Sequence, residues 1–163
     1  MYIEKYWGDY IGGTDDSLTL TAYLAEKGKD EITLEEIFSD FGRETLFGDF
    51  RRTDPPLAYT NSEGWEMGIQ CAIDLIADLA ALLLECRANG SVDLLELDGT
   101  LDLDGESAKI RITATPEEER QMERILAAFA EAPLDFDISD MISEEDAEAM
   151  AAVCEELRRE LYG

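Results

Sequence analysis

The sequence contains no histidine, and lysine and arginine together number only 13 in 163 residues. Without an imidazole, Ser–His–Asp and Cys–His catalysis, histidine acid–base work and the common zinc sites are excluded. Any catalysis would rest on carboxylates, Tyr, Lys or Cys. Against the 13 basic residues stand 39 acidic ones, for a formal net charge of −26 and a pI near 4.1. That surplus repels phosphate backbones and anionic bilayers, so neither nucleic acid nor membrane is an expected partner; cations and basic proteins are. Long apolar runs are missing too. The most apolar stretch, AIDLIADLAALLLEC, carries two Asp and is too short to span a bilayer. The start, MYIEKYWGDY, has neither a basic nor an apolar signal region, so no secretory signal is expected. The cysteines are few, odd in number and widely spaced: Cys71, Cys86 and Cys154 read as buried, reduced thiols of a cytoplasmic protein. Only four prolines occur, and no Pro/Gly/Ser linker, repeat or low-complexity tract divides the chain.

What is present is enough to build a core. Hydrophobic residues make up 45% of the chain, and its length fits one domain over residues 1–163. Tyr2, Tyr6 and Tyr10 stand at helical spacing, interrupted by Gly8. Asp16 is placed to cap a helix over SLTLTAYLAEKG that stops at Gly28, with a strand as the rival for Leu18, Leu20 and Ala22. Thr33 and Glu36 form a capping box before LEEIFSDFG. PPLAYTNSEGWEMGI reads as a hairpin turning at Asn61, Ser62 and Gly64. A helix from about Cys71 to Ala88 is apolar almost all round; Asp74, Asp78 and Glu85 fall on one narrow stripe, expected to be its exposed edge. In LELDGTLDLDGES a three-residue loop at Asp98, Gly99 and Thr100 pairs Leu97 with Leu101 and Leu95 with Leu103, with a short helix at VDLLELDG as the alternative. AKIRITAT alternates as a strand, with Ile110 and Ile112 inward. Thr115, Pro116 and Glu118 open a helix with the stripe Met122, Ile125, Leu126 and Phe129. Ser143 opens the last one, with the stripe Met150, Val153, Leu157 and Leu161 and with Arg158 and Arg159 near its negative end. Helices and strands mix without a βαβ rhythm. The expected class is therefore α+β, an antiparallel or mixed sheet packed by about four to five helices.

Three constellations bear on function. The calcium reading of LELDGTLDLDGES fails on register: with Gly105 at loop position 6, Thr100 falls at position 1 and Arg111 at position 12, where a bidentate carboxylate belongs. Asp98, Asp102, Asp104 and Glu106 then remain as displayed charge. Asp74 and Asp78, one turn apart, have the spacing of a magnesium or acid–base pair, with an exposed stripe as the plainer expectation, and no substrate motif accompanies them. The third joins aromatic anchors to acids. Tyr6, Trp7, Asp9 and Tyr10 precede Asp15 and Asp16, and Tyr and Trp dominate interface hot spots. Core plugging is the alternative for these rings. Asp135, Asp137, Asp140, Glu144 and Glu145 add a second acidic run near the C-terminus. Local helix capping accounts for some of them, not for a surplus of 26 charges that repel one another.

YIEKYWGDYIGGTDDSLTL and DLAALLLECRANGSV resemble segments of the small acidic immunity proteins of bacterial contact-dependent-inhibition and other polymorphic toxin systems. The resemblance covers about a third of the chain. It implies a cytoplasmic, non-enzymatic protein specific for one toxin, and carries over no functional residue. Acidity suits that role, because a nuclease toxin must present Lys and Arg to hold phosphates, and complementary charge speeds encounter. The expected function is neutralisation of a basic, nuclease-like toxin by steric and electrostatic occlusion, without cofactor or metal. The rivals are a salt-adapted acidic domain, suggested by nine Arg to four Lys and by acids spread over both halves, and a carboxylate–magnesium enzyme using Asp74 and Asp78 or Asp102 and Asp104.

Overall fold

A computed structural model describes residues 1–43, 49–101 and 108–163. The N-terminus does not continue as a helix. A 3-10 turn at Tyr2–Lys5 leads into two short parallel strands, β1 (Trp7–Asp9) and β2 (Ile11–Gly12), folded against each other. The glycines explain this. Gly12 has φ +82°, and a Cβ there would lie 2.2 Å from the Trp7 ring; one on Gly13 would lie 2.4 Å from the Asp9 carbonyl oxygen. The pair lets the chain double back beneath Trp7.

Helix α1 (Asp15–Lys27) follows and settles the strand rivalry. Its N-cap is Thr14 rather than the expected Asp16: the Thr14 hydroxyl accepts from Ser17 N at 3.1 Å, and Gly28 ends the helix in the left-handed region. Strand β3 (Glu31–Thr33) runs into α2 (Leu34–Asp40), capped by Thr33 through Glu36 N. The other half of that capping box is absent, because the Glu36 carboxylate goes to Lys29 and Lys27 instead. Strands β4 (Leu57–Thr60) and β5 (Glu66–Ile69) form the expected antiparallel hairpin.

Helix α3 (Ala72–Asn89) is buried from Ala72 to Glu85, as its near-continuous apolarity requires, and Gly90 stops it. Beyond it β6 (Val92–Asp93) and the single turn α4 (Leu94–Leu97) replace the first arm of the expected leucine hairpin. Asp93 is responsible: its carboxylate accepts from Leu95 N at 3.0 Å and turns the chain into a helix. The other arm reaches Leu103, which lies outside the described residues. Strand β7 (Lys109–Thr113) pairs antiparallel with β6 and parallel with β3, so the central sheet is mixed. Ile110 and Ile112 face the core.

Helix α5 (Pro116–Glu131) has the full capping box at Thr115, and its buried residues are Met122, Ile125, Leu126 and Phe129. Two 3-10 turns, Pro133–Asp135 and Asp137–Asp140, carry the chain to α6 (Glu144–Tyr162). The two helices pack side by side around one apolar cluster centred on α3, with Leu157, Leu161 and Met150 buried and Val153 half-buried. A fully buried Phe129 or Leu157 contributes about 1.5–3 kcal/mol of transfer free energy. The class is α+β, with the strands among the described residues divided among three small sheets.

Candidate functional site

The N-terminal segment is strapped along α6. The Tyr6 hydroxyl donates to Glu160 Oε1 at 2.7 Å, and Lys5 Nζ lies 2.5 Å from the same oxygen, near the C-terminal end of the helix. Lys5, then the hydroxyls of Tyr2 and Tyr6, hold the Glu160 carboxyl down to about 2. At the other end the Tyr10 hydroxyl donates to Asp146 Oδ1 at 3.0 Å, in the first turn of α6. That bond raises the Tyr10 phenol above its ordinary value, with further contributions from desolvation and from the charges of Asp146, Asp9 and Glu145. Tyr6 is buried; Trp7 and Tyr10 are half-buried and Asp9 is exposed.

This strap unites two stretches that are far apart in sequence. Asp9 and Tyr10 come beside Glu145 and Asp146, with Glu144 in the same exposed first turn and Asp140 exposed just before it. Acids in the first turn meet the positive end of the helix dipole, which offsets part of their mutual repulsion. Asp137 is half-buried and structural: its Oδ2 accepts from Thr53 N and Thr53 Oγ1 at 2.9 and 2.8 Å. Asp135 is exposed at the far end of the connection. Asp98 closes the turn after α4, accepting from Thr100 N and Oγ1, which lowers its pKa. Asp102, Asp104 and Glu106 lie outside the described residues. Sequence reasoning passed over one anchor-type side chain, Trp65, 66% exposed at the end of the β4–β5 turn. The signal was Asn61, whose amide oxygen accepts from Glu63 N and Trp65 N and fixes the turn that presents the ring.

The acidic stripe of α3 is not an exposed edge. Asp78 is fully buried, Glu85 is 2% exposed and Asp74 is 5% exposed. Each faces the N-terminal segment or α1. Glu85 Oε1 accepts from Ile3 N at 3.2 Å and its Oε2 accepts from Asn89. Asp78 Oδ1 accepts from Gly12 N at 2.9 Å. Asp16, also buried, accepts from Gln70 N and Cys71 N at 2.7 and 3.0 Å and so fixes the chain as it enters α3, whose first amide, Ala72 N, donates to Thr53 Oγ1 at 2.9 Å. Among the described residues, Asp78 Oδ2 and Asp74 Oδ1 have no hydrogen-bond partner. Burial pushes the Asp78 carboxyl up to about 7, and burial followed by the charges of Asp78 and Asp16 raises Asp74. Protonated, these groups can share hydrogen bonds with one another; ionised, they would repel in a dry interior. Among the described residues no group of three or more His, Cys, Asp or Glu side chains is disposed to hold a metal ion. The cysteines are free, and burial raises the thiol of Cys71 to about 12 and that of Cys154 as well, which disfavours the thiolate.

No helix among the described residues is long and apolar enough to cross a membrane. A family profile described as Immunity protein 68 matches residues 2–161. Comparison with curated proteins and with solved structures finds no match.

Proposed function

The chain belongs to the Immunity protein 68 family, and from that premise we propose that it is a non-enzymatic binding protein that neutralises one cognate basic, nuclease-like toxin in the cytoplasm. It does so by covering the toxin's substrate cleft with an acidic face, through steric and electrostatic occlusion and without chemistry. The observation that carries this reading is the strap on α6, which gathers Asp9 and Tyr10 with Asp140, Glu144, Glu145 and Asp146 at one helix end. Exposed carboxylates there meet the Lys and Arg that a nuclease needs for phosphates, while half-buried Trp7 and Tyr10 offer rigid rings beside them. Asp98, with Asp102, Asp104 and Glu106, adds steering charge, and Asp135 extends the face along the 133–140 connection. Tyr6 contributes by fixing the strap rather than by contact.

The test is protection of cells. Each candidate toxin domain encoded in the neighbourhood of the gene is induced with and without the chain. Survival only with the chain is the expected result for one of them; equal killing in both, for every one, overturns the reading.

A further inference from the structure

A groove of about 770 Å³ opens between the last turns of α5, the 3-10 turn at Pro133–Asp135 and the middle of α6. It falls within the range of about 300–1,000 Å³ over which ligand pockets lie. Methyl groups line it, from Ala127 and Ala130 on α5 and from buried Ala151 and exposed Ala152 on α6. Its rim is anionic: Glu131, Asp135, Glu148 and Glu155 stand around it, against one guanidinium, that of Arg158. That guanidinium is already engaged, at 2.7 Å from Glu155 and 3.1 Å from Glu123. The carboxylates of Glu131 and Glu148 form no ion pair or hydrogen bond among the described residues. Leu134 stands 43% exposed at one end.

We propose that this groove receives arginine side chains from an amphipathic segment of the toxin. The inference rests on the immunity reading above and names where, and by what chemistry, the partner is held. Shallow methyls accept the aliphatic stem of a long basic side chain while its head stays at the rim. Unpaired carboxylates beside such a lining match the planar guanidinium fork, which binds them two bonds at a time; an ammonium cannot. A neutral apolar ligand would find little depth on the alanine lining and would have to desolvate the rim acids without replacing their hydrogen bonds.

Two arms test it with the full chain. In the first, a short helical peptide carrying arginine at every fourth position is titrated into the isotope-labelled protein, beside a twin in which citrulline replaces each arginine. The amides of Ala127, Ala130, Ala151 and Ala152 should shift with the arginine peptide, and the citrulline twin should bind at least about tenfold more weakly. Equal affinity, or shifts elsewhere, overturns the proposal. In the second, a candidate toxin domain from the neighbourhood of the gene is bound to wild type, to the E131K/E148K double variant and to Ala152→Trp, which fills the groove from an exposed position. Both variants should lose at least about tenfold in affinity with an unchanged circular dichroism spectrum. If both bind and protect as wild type does, the groove is not the contact and the immunity reading stands. If wild type neither binds nor protects against any candidate, both fall together.

Discussion

Replacing Asp78 with Asn keeps the shape of a fully buried side chain and the acceptor for Gly12 N while removing an ionisable group. In the folded protein Asp78 faces Asp74 on its own helix, Asp16 and the Ser17 hydroxyl on α1, and Cys154 on α6, with no cation among them. Its carboxyl rises from 3.8 to about 7, and a shift of about three units corresponds to about 4 kcal/mol between the two protonation states. The native protein therefore keeps a proton that the unfolded chain has released. The stability that this proton contributes is complete below about pH 4 and is lost as pH climbs through about 7. Roughly 2–3 kcal/mol of that loss falls between about pH 5 and pH 8. General repulsion among surface carboxylates also weakens the fold as pH rises, but it acts on both proteins, so the difference between them reports on the buried pair, Asp78 together with the Asp74 carboxyl that its charge raises. Urea unfolding at a series of pH values should show the Asp78→Asn protein less stable or equal near pH 5, and gaining on wild type by that amount near pH 8. Parallel stability curves for the two proteins across the whole range would refute the buried-proton argument.

Gly12→Ala should expel the Trp7 ring, because the added Cβ has no room and the backbone stands at φ +82°; a loss of about 1–3 kcal/mol and a red-shifted tryptophan emission would register it. Leu157→Ala should cost about 2–5 kcal/mol in chemical denaturation, since the side chain is fully buried on the inner face of α6.

The parts legible in the sequence were those written in local chemistry. Thr115, Pro116 and Glu118 announced α5, and its apolar stripe named the four residues it buries, because cap and period act within one helix. The stripe of Asp74, Asp78 and Glu85 misled for the opposite reason. Acids on one face of an apolar helix look like a solvent edge, and the groups that accept their burial, Gly12 N and Ile3 N, lie 66 and 82 residues away. At Leu95–Leu97 alternation fitted a strand as well as a single helical turn, and the Asp93 cap decided between them. The candidate face was half legible: both acidic runs stood out, but only folding brings Tyr10 to Asp146 and makes them one surface. The α5–α6 groove had no sequence signal, since its alanines read simply as helix formers.

The central claim is that acidic charge at the α6 end steers this protein onto a basic toxin. Its most direct test is the association rate with the toxin domain that the chain neutralises, measured by stopped flow from low to high salt, for wild type and for Glu144, Glu145 and Asp146 together changed to Lys. A rate that falls steeply with salt in wild type, and that the reversal slows by about tenfold at low salt, is predicted. A complex that forms at the same rate at every salt concentration and in both proteins would contradict the claim.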